Sequence, residues 1–316
     1  MSAAPETPEP EVALITFLDG HRSKGAKATG SFRRNFVQAL RARGIRAHRF
    51  AGLRKLFAAN LPRGSVVALS LNEDEFYRNL DLRLPAMAML SSYCRTQGLT
   101  LIHGLEQALV LANKRATSEV LRLHSVPTPS LSSGEAATKV FSNSLSASHQ
   151  AVEVLPPGAE LDAGRFNVDY VDCRHQEGGQ TYHVCLRALC VGPDINFVYV
   201  RARDVEHGGP SVHNVDTPQD LGLIRALHDR LVRPNEAHIQ RIAAQVSHAL
   251  GFGFFGIDIL AAADGRLMVC EVGVKFNDVS YETHMYPIRE GHPNETMLNG
   301  AAGERAAALL ARRLSK

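Results

Sequence analysis

The stretch Gly256-Ile-Asp-Ile-Leu-Ala-Ala-Ala-Asp-Gly-Arg-Leu-Met-Val-Cys-Glu-Val-Gly273 places two apolar runs on either side of Asp264-Gly265. Asp-Gly flanked by such runs is a strong signal for a two-residue hairpin turn, because both residue types accept the positive φ that the turn demands. Counting outward from that turn sets Asp258 opposite Glu271 and Gly256 opposite Gly273. Directly opposed side chains stand about 4.5–5.5 Å apart at Cβ, and like charges there are destabilising. A cation between the carboxylates, or a proton on one of them, removes the repulsion. Mg²⁺ accepts a few carboxylate oxygens and takes its remaining ligands from water and phosphate, so the pair predicts a metal–nucleotide site. The two glycines leave space beside the carboxylates. The alternative is that Asp258 and Glu271 are ordinary polar residues at hairpin ends, one of them facing solvent.

Two arginines upstream are read the same way. Arg187 lies in Tyr182-His-Val-Cys-Leu-Arg187-Ala-Leu and Arg201 in Phe197-Val-Tyr-Val-Arg201, both within apolar runs. A three-residue turn at Pro193-Asp194-Ile195 sets them face to face, and two guanidinium groups so placed suit a phosphate. The competing reading is a pair of arginines satisfied by nearby carboxylates. Farther back, Leu105–His124 is helical but interrupted at Asn113-Lys114, and Pro127-Thr-Pro129 ends it. A lysine at a helix start reaches an anion there readily.

The first hundred residues have a different rhythm. Strand-like runs at Val12–Phe17, Arg46–Phe50, Ser65–Leu71 and Leu99–His103 alternate with helices at Ser31–Arg43, stopped by Gly44, and Leu82–Gln97. This alternation predicts a small doubly wound α/β domain. From Phe141 to Val200 the chain is strand-rich with Gly/Pro turns, which predicts an antiparallel sheet. Helices are expected at Asp220–Leu231, Asn235–Leu250 and Gly303–Leu314. The boundaries follow: a flexible leader at 1–11, an α/β domain at 12–104, and an α+β nucleotide-binding region at 105–316.

Taken in order, these pieces resemble the ATP-grasp superfamily, whose members couple ATP hydrolysis to joining a carboxylate with an amine. The resemblance spans nearly the whole chain and rests on Asn113-Lys114, Val126-Pro-Thr-Pro129, the arginine strands, Gly256-Ile-Asp258 and Cys270-Glu271-Val-Gly273. It implies that Lys114 and Arg187 or Arg201 contact ATP phosphates, with the arginines stabilising the transferring phosphoryl group, and that Asp258 and Glu271 hold Mg²⁺. Members usually carry a second lysine on the strand after the Pro-containing segment. Here that strand is read as Val140-Phe-Ser142-Asn143, so Ser142 or Asn143 stands where the nucleotide-contacting lysine is expected, and Lys139 substitutes only if the strand shifts. The third metal ligand, usually asparagine two residues after the glutamate, is Gly273; Asn277 or Asp278 reaches the site only through a local turn. The function implied is an ATP- and Mg²⁺-dependent ligase acting through an acyl phosphate on small-molecule or peptide carboxylate and amine substrates. The missing lysine and asparagine favour, as an alternative, a degenerate fold that binds nucleotide or another ligand without ligation; a small-molecule kinase is the third.

Composition narrows the remaining classes. The 316 residues are 45% hydrophobic, enough for two cored domains, and 35 Lys+Arg against 32 Asp+Glu leave a net charge of only +3. Net charge therefore announces neither a nucleic-acid nor a membrane partner. Met1–Glu11 lacks the basic end and apolar stretch of a signal peptide, and the apolar runs are strand-sized, so a cytoplasmic location is expected. The oligomeric state stays open. Five cysteines without a CxxC pair argue against disulfides and zinc knuckles, and neither a GxSxG elbow nor an HExxH helix is present. Three segments remain: the basic Asp19–Gly30 loop as a substrate-loop candidate, His207–Asn214 as a mobile loop that could close over a site, and Val274–Pro293, where Lys275, His284 and Arg289 either bind substrate or belong to a structural loop.

Overall fold

The structure is a computed structural model and describes residues 9–15, 30–69, 80–143, 152–274 and 279–315. The Asp19 loop up to residue 29, Asn72–Glu75, Ser144–His149, Lys275, Asn277 and Asp278 lie outside the described residues. Contacts divide the chain into two units, residues 1–106 with 303–316, and residues 107–302.

In the first unit Val12–Ile15 (β1), Gly30–Arg41 (α1), Ala47–Phe50 (β2), Leu53–Ala59 (α2), Val66–Leu69 (β3), Leu80–Gln97 (α3) and Thr100–Ile102 (β4) alternate. The strands form a parallel sheet in the order β2-β1-β3-β4. The continuous apolar runs Val-Ala-Leu-Ile and Val-Val-Ala-Leu are its two central strands, buried at every position, as a sheet covered on both faces requires. Gly44 takes φ +79 and lets Ile45 N–H reach back to the Leu40 carbonyl at 3.1 Å, ending α1 as expected. Helix α2 has only seven residues, with Leu53 and Leu56 buried, too few for its period to show in the sequence.

The second unit opens with Leu105–Leu111 (α4) and Lys114–Leu123 (α5). Asn113 separates them because its side chain accepts the Ala116 N–H at 2.9 Å and so caps α5. Thr138–Phe141 (β5) pairs antiparallel with Glu153–Leu155 (β6) and Phe166–Asp169 (β7), and Phe141, Phe166 and Val168 form that sheet's apolar cluster. A larger antiparallel sheet follows from Arg174–Glu177 (β8), Gln180–Val191 (β9), Asp194–Asp204 (β10), Phe254–Ala261 (β11) and Leu267–Gly273 (β12). Its order is β10-β9-β11-β12, with β8 on β9. Leu221–Leu227 (α6) and Glu236–Leu250 (α7) lie between its two hairpins in sequence, and Val279–Met285 (α8) follows the sheet. Helix α7 buries Ile239, Ile242, Ala243 and Val246 at helical spacing and packs on β9 and β10. Among the described residues no helix is long and apolar enough to cross a membrane.

The C-terminal helix Ala302–Leu314 (α9) corrects the expected boundary, which assigned 105–316 to one region. Its residues from Gly303 onward group with the first unit. Gly303 is the reason: a Cβ there would lie 2.7 Å from the Phe32 carbonyl and 3.0 Å from the Phe36 nitrogen. The helix backbone thus packs directly on α1. Amphipathic spacing showed that α9 buries a face, but not against what.

The outer edge of β10 is closed by side chains. Asn294 Nδ2 donates to the Val198 carbonyl at 2.7 Å, Tyr281 Oη to the Val200 carbonyl at 3.1 Å, and Ala202 N–H to Thr217 Oγ1 at 3.2 Å. Tyr281 also stacks on Tyr199 at 3.9 Å. Beneath it His292 Nδ1 accepts the Asn294 N–H at 2.9 Å, which requires an unprotonated nitrogen. Burial, reinforced by His228 and Arg225, pushes the His292 imidazole down to about 4.

Two measurements follow from this packing. Gly303→Ala is expected to destabilise the first unit by about 1–3 kcal/mol through overpacking, read as a lower thermal midpoint; an unchanged midpoint would mean that α9 does not pack on α1. For His292 the folded state takes up its proton only near pH 4, whereas the unfolded chain does so near pH 6.5. Its contribution is therefore complete above pH 6.5 and is lost as pH falls toward 4, amounting to about 3 kcal/mol. Urea unfolding across that range should show a shallower acid loss in His292→Asn, and parallel profiles would contradict the assignment.

Candidate functional site

Four strands of the large sheet present one residue each to a single transverse row. Tyr199 on β10 faces Arg187 on β9, Arg187 faces Asp258 on β11, and Asp258 faces Glu271 on β12. Directly opposed residues share a sheet face, so all four project to the same side. Arg201, two residues from Tyr199 on its strand, projects there as well.

The Asp258–Glu271 pairing matches the sequence reading, but the turn does not. Ala261 pairs with Leu267, Ala262 N–H bonds the Arg266 carbonyl at 2.9 Å, and Gly265 sits at φ +88. The loop is therefore three residues long, with glycine in the left-handed position that such loops need. A bulge at Cys270 inserts one residue into β12, between Val269 opposite Ile259 and Glu271 opposite Asp258. The longer turn and the bulge cancel. Gly256 does face Gly273, yet both are buried, so the expected free space there is not open surface.

The arginine register is corrected. Gly192-Pro193 forms a two-residue turn, with Gly192 at φ +56 and Val191 paired with Asp194, and the ladder shifts around Asn196. Arg187 consequently faces Tyr199, and Arg201 faces Cys185. The guanidinium groups are diagonal neighbours on one face rather than a direct pair. They converge on one carboxylate: Arg187 Nη1 bonds Asp258 Oδ1 at 2.8 Å and Arg201 Nη1 bonds Oδ2 at 3.3 Å. Side-chain exposures of 7%, 10% and 17% make this a largely desolvated triad. The arginine–carboxylate alternative is thus what the structure displays.

Lys114 Nζ meets Glu271 Oε2 at 3.0 Å and is almost fully buried. Its placement depends on Asn143. The Lys114 N–H bonds the Asn143 carbonyl at 2.9 Å and the Arg115 N–H bonds Asn143 Oδ1 at 3.0 Å, clamping the start of α5 to the end of β5. Asn143 therefore occupies its side chain as a helix cap and positions Lys114.

Lys139 is the residue the sequence reading underweighted. Strand β5 begins at Thr138, two residues earlier than expected, so Lys139 lies on it and shares a face with Phe141. Its Nζ stands 5.1 Å from the Phe141 ring centroid, and Lys114 Nζ stands 5.0 Å from the same centroid. One aromatic ring holds two ammonium groups by cation–π attraction. Lys139 also donates to the Pro210 carbonyl at 3.3 Å, within the expected 207–214 loop. The signal was present as one lysine alternating with Phe141 in Thr-Lys-Val-Phe, obscured by a strand start placed too late.

The cysteines near this face are not nucleophiles. Burial pushes the Cys173 thiol up to about 12 and those of Cys185 and Cys270 upward, although Lys139 and Lys114 pull the Cys270 thiol down in part. His183, on the same face of β9, is held neutral by burial and by Lys139 and Arg174. A small pocket between α5 and β12 is lined by Lys114, Ser118, Thr128, Cys270 and Glu271.

Among the described residues Arg187, Arg201, Lys114 and Lys139 face Asp258 and Glu271 here, an excess of positive charge that suits a polyanion better than a neutral ligand. Among the described residues no three His, Cys, Asp or Glu side chains assemble into a metal cluster. The protein offers a cation two adjacent carboxylates, which fits Mg²⁺ completing its shell with water and phosphate oxygens.

No protein-family profile and no curated protein matches the chain. Solved structures do. The ATP-grasp ligase PsnB in complex with a minimal precursor aligns over 94% of this chain and 100% of its own, at 10% identity and a TM-score of 0.52. The same ligase with a phosphomimetic variant of that precursor, Mg and ADP aligns over 94% and 99%, at 11% identity and 0.51. D-alanine–D-alanine ligase from Bacillus anthracis aligns over 98% and 100%, at 11% identity and 0.50. The architecture built above, an α/β unit and paired antiparallel sheets bearing the charged row, is the ATP-grasp fold.

Proposed function

We propose that this protein is an ATP- and Mg²⁺-dependent ligase that joins a carboxylate to an amine. The observation that carries the reading is the row in which Asp258 grips two arginines while Glu271, on the next strand, grips a lysine. Arg187, Arg201, Lys114 and Lys139 would bind and orient the phosphates, and Asp258 and Glu271 would hold Mg²⁺. When bound, Mg²⁺-ATP supplies the phosphoryl group that turns the acid into an acyl phosphate, from which the amine expels phosphate to form the amide. The task left to the chain is positioning and charge stabilisation, which buried arginines and lysines perform without a protein nucleophile. The high-lying thiols and neutral His183 agree with that division of labour. The substrates are read as small molecules or peptides, since PsnB was solved with a precursor peptide and D-alanine–D-alanine ligase is named for an amino acid.

The alternative of a degenerate binding protein loses one of its two grounds, because Lys139 lies on β5. It keeps the other, Gly273 at the third-ligand position.

The decisive assay is ADP release with Mg²⁺-ATP and a pool of amino acids. Intact protein should show amine-dependent turnover that Glu271→Ala lowers by at least about a hundredfold. Nucleotide binding without turnover would support the degenerate fold, and a phosphorylated product lacking an amide would support a kinase. A second outcome follows from the ion pairs. Both Asp258 oxygens are engaged by arginines and Glu271 by Lys114, so a metal competes with them until phosphate draws the cations away. Calorimetry should find Mg²⁺ binding at least about tenfold tighter with ADP present than without it; equal affinities would mean that the pairs do not guard the carboxylates.

A further inference from the structure

The near-neutral chain is electrically divided. Residues 1–106 with 303–316 carry 19 Lys/Arg against 10 Asp/Glu, a net of +9, while residues 107–302 carry 16 against 22, a net of −6. Within the first unit the excess concentrates around β2. Residues 41–55 include Arg41, Arg43, Arg46, Arg49, Arg54 and Lys55 and contain no Asp or Glu. All six are exposed. Glu11 is the carboxylate that reaches this region, 3.5 Å from Arg46 and 2.7 Å from His48. The other five cations have no carboxylate partner among the described residues.

Strand β2 is also an edge. It pairs with β1, and among the described residues no other strand pairs with it. Val12 N–H bonds the Arg46 carbonyl, so by parallel alternation His48 turns its backbone toward β1 while Ala47 and Arg49 turn theirs outward. Arg41 Nε covers the Ala47 carbonyl at 2.8 Å. This contrasts with β10, whose outer edge is closed by Asn294, Tyr281 and Thr217. Charged side chains also blunt an edge against a second copy of itself; here every one is positive and five lack a carboxylate among the described residues, so the set that repels another copy attracts an acidic chain.

We infer that the open edge of β2 and its flanking arginines bind an extended acidic peptide segment of a partner protein by strand addition. Four residues give about 13 Å of edge, where outward N–H and C=O groups pair with a peptide backbone and the cations meet acidic side chains at alternate positions. A nucleic acid fits less well. A phosphodiester cannot continue the ladder, and the aromatics that could stack on bases are engaged, Phe50 with His48 at 6.0 Å and Phe57 with Tyr93 at 4.4 Å.

The test needs no nucleotide, so it stands or falls separately from the ligase reading. A labelled ten-residue peptide alternating Glu and Val is titrated with the full chain and followed by fluorescence anisotropy. Saturable binding is expected, weakened about tenfold or more in Arg49→Glu and also in the double variant Arg54→Glu/Lys55→Glu, which leaves the strand untouched. Both variants should keep the parent thermal midpoint, and the same peptide N-methylated at alternate residues should bind at least about tenfold more weakly. Absence of saturable binding, equal affinity in the folded variants, or equal affinity for the N-methylated peptide or for a thymidine decamer would overturn the proposal.

Discussion

The second unit is organised around one electrostatic constraint. Two carboxylates are held side by side on the face of a sheet, and neither can be left uncompensated in so dry a place. Asp258 resolves this with a guanidinium on each oxygen and Glu271 with an ammonium. Removing one partner from such a cluster leaves charge that neither burial nor solvent can neutralise, typically at about 3–5 kcal/mol. The cluster therefore dictates much of what surrounds it. Arg187 needs the centre of a buried strand, Arg201 needs the next strand in matching phase, and Lys114 needs a helix delivered beside β12, whose edge takes a Val269 N–H bond to the Pro127 carbonyl. Each is provided by a specific local device: a bulge near Asn196, a bulge at Cys270, and the Asn113 and Asn143 caps on α5.

A charge cluster whose members satisfy one another is also well matched to a ligand carrying both signs. Under the proposed function, a polyphosphate with its divalent cation would replace every internal partner at once, the anion taking the arginines and lysines and the metal taking the carboxylates. Neither component alone can do so without stranding the other half. On that proposed reading, the pairs that stabilise the fold would also set a threshold for occupancy and favour a metal–nucleotide complex over a free cation or a free anion.

Much of this was legible in the residues, for reasons that differ from place to place. The buried strands β1 and β3 were plain because a sheet covered on both faces demands unbroken apolar runs. The Asp258–Glu271 pairing was found through a cancellation: the turn is one residue longer than Asp-Gly suggested, and the Cys270 bulge restores the phase. Bulges leave little trace in a hydrophobic pattern, so the same logic failed between Arg187 and Arg201, where the turn is shorter than expected and a shift near Asn196 only partly compensates. Lys139 was discounted because strand limits are among the least certain features of a sequence, and a two-residue error moved it off the strand. The side of the molecule on which α9 lies was not readable at all, since a helical stripe declares burial without naming its partner.

The two edge strands show how far physical context decides meaning. Both β2 and β10 leave a row of backbone groups at the margin of a sheet, and both carry arginines. In β10 the groups are satisfied by Asn294, Tyr281 and Thr217, and Arg201 turns inward to a carboxylate. In β2 Arg49 turns to solvent, and among the described residues the covered outward group is the Ala47 carbonyl, bonded by Arg41. An arginine with its own carboxylate is part of a fold's internal balance, whereas a cluster of cations with a single carboxylate among them raises the local concentration of acidic partners over about a Debye length, near 8 Å at physiological salt. The same residue type is thus internal in one sheet and solvent-facing in the other, and it is the distribution of carboxylates, not of arginines, that separates the two roles.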